Sequence, residues 1–183
     1  PSSAASDVYK RQFDEDGEAM TMQLIDVSRA HFYAPSVREV YVQLPQGDPK
    51  HGRPGVCGRL RRTMYGTLDA AEQWAIHYTR VLTSAGFIQG KASPCHFFHP
   101  DRKIWMLVHG DDFIFTGKIQ DLQWLSGKFN GKYDCKTELI GRAPNLKKSA
   151  RFLNRVISYG TEGIQFEADQ RLAEAIIAGL ELK

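Results

Sequence analysis

The chain has 183 residues, 42% hydrophobic and 25% charged, with 24 Lys and Arg against 21 Asp and Glu for a formal net charge of +3. These values describe an ordinary globular domain with enough chain for one core, and they exclude a polybasic or acidic tail as a description of the whole. Cys57, Cys95 and Cys135 are odd in number and far apart, which argues against a disulfide framework and suits a reducing, intracellular setting. No apolar run approaches a membrane span, and the N-terminus lacks the apolar core of a secretory signal.

Residues 1–20 carry Ser-Ala repeats and then Asp14-Glu15-Asp16-Gly17-Glu18, too little apolar area to offset ordering entropy. They are expected to be disordered or foreign to the domain, which is taken as 21–183. Thr21 to Val27 reads as the first core strand, and Ala30 to Ser36 as a turn or short helical stretch closed by Pro35. Val37 to Leu44 reads as a strand with Val40, Val42 and Leu44 on one face. Pro45 to Gly58 is a Gly- and Pro-rich loop in which Val56-Cys57 adds a short strand.

Asp69 to Ala85 is the clearest helix, with Ala71, Trp74, Ala75, Tyr78, Val81, Leu82 and Ala85 in one stripe. Asp69 and Glu72 have the spacing of a capping box, and Gly86 ends the helix. Strands are expected at His96 to His99 and Ile104 to Val108, then a helix over Ile119 to Phe129. Arg151 to Tyr159 and Gly163 to Glu167 read as a hairpin across Gly160-Thr161-Glu162. Asp169 is expected to cap a last helix that buries Leu172, Ile176 and Leu180. Strand, helix, hairpin, helix, hairpin gives an α+β fold, an antiparallel sheet with two helices on one face.

Chemistry concentrates at Trp105 to Phe115, W-M-L-V-H-G-D-D-F-I-F. Two apolar runs around His109-Gly110-Asp111-Asp112 form a hairpin that holds adjacent carboxylates at its tip. Adjacent ionised carboxylates repel, and a cation is the usual means of keeping both charged. A solvated turn explains Asp and Gly equally well for this stretch alone. Upstream, Met22-Gln23-Leu24-Ile25 leads into Asp26 as a strand would. One acid from a strand and two from a hairpin can meet on one sheet, as an oxygen-rich site suited to Mg²⁺ or Mn²⁺. Arg59-Arg61-Arg62 and Lys147-Lys148 with Arg151 are local basic clusters, of the kind that are usually solvated faces. Cys95-His96 with His99 lacks a second ligand pair to complete a zinc site.

Ile25-Asp26-Val27-Ser28-Arg29-Ala30 resembles the first catalytic motif of copia-type retrotransposon reverse transcriptases. Glu39 to Pro45 resembles the segment that follows it there. Leu60 to Trp74, with Met64-Tyr65-Gly66 and Gln73-Trp74, is similar to the next motif, and Val108 to Asp112 to the two-aspartate hairpin. Phe152 to Ile157 and Asp169 to Leu180 are similar to what comes after. The series is collinear over roughly Thr21 to Lys183.

The resemblance implies a polymerase palm with a split βαβ, ferredoxin-like core, followed by a hairpin and a C-terminal helix. It implies an RNA-directed DNA polymerase working by two-metal nucleotidyl transfer with Mg²⁺ or Mn²⁺. Its partners would be an RNA/DNA primer-template and deoxynucleoside triphosphates. The implied metal-binding and catalytic residues are Asp26, Asp111 and Asp112. Strand alternation makes Asp112 the weaker ligand, with bonding of turn amides as its other role. The implied substrate-contacting residues are His31, Phe32, Tyr65, Gly66 and Asp69. The family commonly has Phe or Tyr where His31 stands, Gln at the place of Asp69 and Pro at the place of Ala71. Gly110 replaces a residue that is often Val. The chain begins just before the first motif, so it is expected to be a palm fragment of a polyprotein, without its fingers, thumb, ribonuclease H and integrase. The other expectation, from a different class, is a palm-fold relic that binds nucleic acid or a partner but does not polymerise.

Overall fold

The computed structural model describes residues 20–160, 164–168 and 170–180. Its centre is a six-stranded antiparallel sheet in the order β4-β5-β6-β7-β1-β8. The strands are β1 (Thr21–Val27), β4 (Ile88–Gln89), β5 (His96–His99), β6 (Ile104–His109), β7 (Asp112–Gly117) and β8 (Cys135–Ile140). Two helices, α1 (Ala70–Ser84) and α2 (Ile119–Asn130), form the crossovers. The chain runs from β1 through α1 and the short strands β4 and β5 into the β6–β7 hairpin, then through α2 into β8. The last strand of this sheet in chain order, β8, lies beside its first, β1.

β1 is buried at every position except Asp26 because both of its faces are covered. Ile25 and Val27 pack towards the helices with Trp74, Tyr78 and Leu82 of α1, Phe113 and Phe115 of β7, and Leu122, Leu125 and Phe129 of α2. Trp74 is 1% exposed, and its ring meets Tyr78, Tyr133 and Phe113 edge to face with centroids 5.5, 5.6 and 6.3 Å away. Such pairs add to area burial, which itself contributes about 1.5–3 kcal/mol for each large apolar side chain. Met22 and Leu24, which alternate with Ile25 and Val27, face the other way.

That second face is closed by a three-stranded antiparallel sheet, β9 (Ser149–Phe152), β10 (Arg155–Tyr159) and β11 (Ile164–Ala168). Ala150, Phe152, Ile157 and Tyr159 pack on Met22, Leu24, Ile114 and Ile140. The Tyr159 hydroxyl donates to the carbonyl of Met20 at 2.5 Å. The molecule therefore has three layers: helices, central sheet and small sheet. A third helix, α3 (Gln170–Gly179), follows β11.

Several local expectations change. Met20 is buried, so the packed domain includes it. Between Val37 and Leu44 only Tyr41–Val42 (β2) forms a strand; it pairs with β3 (Gly58–Arg59), two residues beyond the expected Val56-Cys57. Arg151 to Tyr159 is not one strand. It is the β9–β10 hairpin, turning at Leu153 and Asn154, which take φ of 50° and 57°. In α1 the expected stripe holds at Trp74, Tyr78 and Leu82, with Ala75, Val81 and Ala85 packed beside them, but Ala70 rather than Ala71 is its buried first residue. Asp69 occupies the N-cap position and its carbonyl accepts from the Gln73 amide at 2.9 Å, but its side chain makes no capping bond. Ile176 and Leu180 are exposed, because no other described element covers that side of α3. Thr161, Glu162, Gly163 and Asp169 lie outside the described residues, as do residues 1–19.

Candidate active site at the end of the central sheet

Asp26 is the one exposed residue of β1, placed where the strand leaves the core. Its register partner on β7 is Asp112, and its partner on β8 is Lys136. Directly opposed residues share a sheet face, with Cβ atoms about 4.5–5.5 Å apart. Leu24 and Ile114, two residues along on each strand, pack towards the small sheet, so Asp26 and Asp112 belong to that face. With Lys136, Glu138, Arg151, Phe152 and Leu153 they line a cleft of about 200 Å³. Glu138 pairs with Lys147 at 2.9 Å.

Asp111 sits in the turn itself. His109 and Asp112 close the β6–β7 ladder, leaving Gly110-Asp111 as a two-residue loop. Gly110 has φ of 64°, the value that a II′ turn requires at its first central position and that side chains resist. Two bonds fix the tip. The Trp74 indole N–H donates to the Gly110 carbonyl at 2.8 Å, and the Val27 amide donates to the Asp111 carbonyl at 3.1 Å. The hairpin tip is thus tied to α1 and to the strand that carries Asp26.

The Asp111 carboxylate accepts the Tyr65 hydroxyl at 3.1 Å. Partial burial, and then the neighbouring Asp111 charge, hold the Tyr65 hydroxyl above the usual phenol range, so it stays a donor. Tyr65 also meets His31 edge-on, with ring centroids 4.2 Å apart, and lies 6.1 Å from Phe32. Thr63 holds this group by donating from its hydroxyl to the His31 carbonyl. Gly66 follows with φ of 85°. His31, Phe32, Tyr65 and Asp111 therefore form one surface beside the hairpin. Asp69 stands instead at the head of α1, its Oδ2 buried without a hydrogen-bond partner.

Burial raises the acid of Asp112 above the ordinary carboxylate range, and the negative charges of Asp111 and Asp26 raise it further; His109 opposes them. Asp112 thus feels the charge of both other aspartates. Among the described residues no set of three or more His, Cys, Asp or Glu is grouped closely enough to hold a metal ion by protein ligands alone. The donor chemistry still fits Mg²⁺ or Mn²⁺, which are ordinarily held by one or two carboxylates together with phosphate oxygens and water. The opposed pair Asp26 and Asp112 provides two such hard oxygen donors, with Asp111 at the turn beside them.

Sequence reasoning passed over three contributors. Trp74 reads as core and also clamps the hairpin. Lys136 lies on β8, a strand whose K-T-E run gives little apolar signal. Leu153 reaches the cleft through a turn that its residue type conceals. The His/Cys group at Cys95, His96 and His99 plays no part here: His99 is buried in the fold, and His96 Nδ1 lies 2.7 Å from the Ser93 hydroxyl.

No helix among the described residues is long and apolar enough to cross a membrane. No protein-family profile matches the chain, and no solved structure matches it. Among curated proteins it is 24% identical over 121 residues, 64% of its length, to the retrovirus-related Pol polyprotein from transposon TNT 1-94 of Nicotiana tabacum. It is 30% and 28% identical over 95 residues, 51% of its length, to the corresponding polyproteins from transposons RE2 and RE1 of Arabidopsis thaliana. The chain spans 9%, 6% and 6% of those relatives, less than a tenth of each. By sequence, the chain is similar to one region of the retrovirus-related Pol polyproteins of plant transposons.

Proposed function

We propose that this chain is the palm of a copia-type retrotransposon reverse transcriptase, an RNA-directed DNA polymerase region within a Pol polyprotein. The observation that carries the reading is the facing of Asp26 and Asp112 across β1 and β7, with Asp111 in the intervening hairpin turn. The strand order β6-β7-β1-β8 with two helical crossovers supports it, as the arrangement of a split βαβ palm. Similarity to Pol polyproteins supports it independently.

On this reading Asp26, Asp111 and Asp112 would hold Mg²⁺ or Mn²⁺, which when bound supplies charge stabilisation for transfer of a nucleotidyl group to a primer 3′-oxygen. The protein's own work is positional. The Trp74 and Val27 bonds fix the carboxylates against thermal drift, and fixed donors need no reorganisation during reaction. The Tyr65 hydroxyl orients the Asp111 carboxylate. His31 and Phe32, packed on Tyr65, offer the surface for the nucleotide sugar. Deoxynucleoside triphosphates and an RNA/DNA primer-template are the proposed substrates, and the other polymerase subdomains, ribonuclease H and integrase the proposed companions in the polyprotein.

The second reading is a palm-fold relic that binds nucleic acid or a partner without polymerising. The absence of a self-sufficient three-ligand metal set among the described residues favours it. RNA-templated primer extension separates the two, using a chain that also carries the polyprotein residues upstream of this region. Polymerase activity predicts incorporation that needs Mg²⁺ or Mn²⁺ and falls roughly a thousandfold, about 4 kcal/mol of barrier, on Asp26→Asn. Incorporation unchanged by that substitution, or none from the unaltered chain, overturns the catalytic assignment.

A further inference from the structure

The strongest unassigned feature is the segment from Pro35 to Arg62. It holds six Lys and Arg against two Asp and Glu, a net +4, whereas the other 155 residues hold 18 against 19. The excess positive charge of the whole chain therefore resides in this one segment. It folds into a ribbon. Pro35 bridges Arg62, the Ser36 amide donates to the Arg61 carbonyl at 3.1 Å, the Leu60 amide donates to the Val40 carbonyl at 2.9 Å, and β2 pairs with β3.

Both acids of the ribbon are engaged: Glu39 pairs with Arg59 at 3.1 Å, and Asp48 accepts the Lys50 amide at 2.8 Å. Arg38, Lys50, Arg53 and Arg61 are exposed, and none has a carboxylate partner among the described residues. Arg62 donates to the Tyr33 carbonyl, an uncharged partner, at 2.8 Å. Tyr41, 55% exposed, is the cross-strand partner of Arg59. Arg59, Leu60 and Arg61 line a shallow cleft with Ser36.

The base of the ribbon is continuous with the candidate site. The Thr63 amide donates to the Ala34 carbonyl at 3.0 Å, and the Thr63 hydroxyl bonds His31, which packs on Tyr65. A ligand that follows the ribbon therefore arrives at the surface beside Asp111.

We propose that this ribbon is the docking surface for a single-stranded nucleic acid, the unpaired strand leading into the site. The inference rests on the polymerase reading for the direction of the strand, but its evidence is the ribbon's own charge. Cations spread along both arms and the loop match a run of phosphates, which a lone triphosphate would not fill. An exposed Tyr among arginines gives a stacking surface that accepts any base.

The test is fluorescence anisotropy of the whole 183-residue chain with a labelled single-stranded oligoadenylate RNA and with an RNA duplex, across a salt series. Three proteins are compared with the unaltered chain. One carries Arg38→Gln, Arg53→Gln and Arg61→Gln. A second carries Arg38→Lys, Arg53→Lys and Arg61→Lys. The third carries Arg80→Gln, Lys91→Gln and Lys128→Gln, equally exposed cations outside the ribbon.

Single-strand binding should weaken at least tenfold in the first protein, and its log–log salt slope should fall by about 2, the value for three lost phosphate contacts. It should stay near the unaltered level in the second and third. Equal loss in the first and third proteins, no loss in the first, or duplex binding as tight and as ribbon-dependent as single-strand binding overturns the proposal. Because the assay reads binding without turnover, ribbon-dependent binding by this chain together with no primer extension by the longer chain would sink the polymerase reading and leave the ribbon assignment standing.

Discussion

Asp26 and Asp112 face each other across neighbouring antiparallel strands, on the same side of the sheet and beside a turn that carries a third acid, Asp111. Like charges placed directly opposite are destabilising in a sheet. Burial and the two neighbouring charges raise the Asp112 acid above its ordinary range. A raised folded-state acid makes the fold relatively more stable when the group is protonated, below the ordinary carboxylate range. That advantage is lost as pH rises through the folded-state value. Asp112→Asn should therefore stabilise the metal-free chain at pH 7, by no more than about 1 kcal/mol because the cleft is open and screened. The gain should vanish as pH falls below about 4. Urea denaturation at several pH values measures it; a variant less stable than the unaltered chain at pH 7 would assign Asp112 a supporting role.

The hairpin was legible from sequence because its signals agree: two apolar runs, and a Gly at the position a tight turn demands. The α1 and α2 stripes were legible for the same reason, their period matching the face they bury. The β9–β10 turn was not. Leu153 and Asn154 both adopt positive φ, and Leu gives no hint of it. The ladder on both sides dictates the turn, a tertiary choice over local preference. The small sheet's packing on the second face of the central sheet was also unread, because alternation in Ala150, Phe152, Ile157 and Tyr159 shows an apolar face without naming its partner. In the site, the acids were legible as types and order. Their pairing was not, since register decides that Asp112 rather than Asp111 opposes Asp26.

The strained turn yields a stability prediction. Leu153→Asn with Asn154→Gly installs the pair that a turn with two positive φ values favours. The double variant should be about 1 kcal/mol more stable, seen as a rise of roughly 2–4 °C in melting temperature for a chain of this size. An unchanged or lower melting temperature would show that the Leu153 contact with the cleft outweighs its backbone strain.

Trp74 joins the core to the site. Trp74→Phe keeps most of the apolar burial but leaves the Gly110 carbonyl without its donor, so it should cost about 1–3 kcal/mol. Trp74→Ala should cost roughly 3–5 kcal/mol through the cavity as well. Hydrogen exchange should show the Val27 amide, which bonds the Asp111 carbonyl, losing protection in Trp74→Phe more than the amides of β10 do. Uniform loss would mean that the indole bond does not fix the hairpin.

Tyr65→Phe removes a half-exposed bond to Asp111 and should change fold stability by less than about 1 kcal/mol. Its effect should appear in primer extension by the longer chain, as a several-fold loss that Asp111→Asn does not deepen additively, since both act on one carboxylate. Fully additive losses would separate the two residues.

The central claim is that Asp26, Asp111 and Asp112 together engage a divalent cation. The direct measurement is thermal melting of the unaltered chain and of Asp26→Asn, Asp111→Asn and Asp112→Asn, each with and without millimolar Mn²⁺. A ligand that binds only the folded state at ten times its Kd stabilises by about 1.4 kcal/mol, some 3–5 °C for a chain of this size. The account predicts a rise of that order in the unaltered chain and its loss in each variant, with the metal-free variants as stable as the unaltered chain or more so. An equal Mn²⁺ response in all four proteins would contradict it.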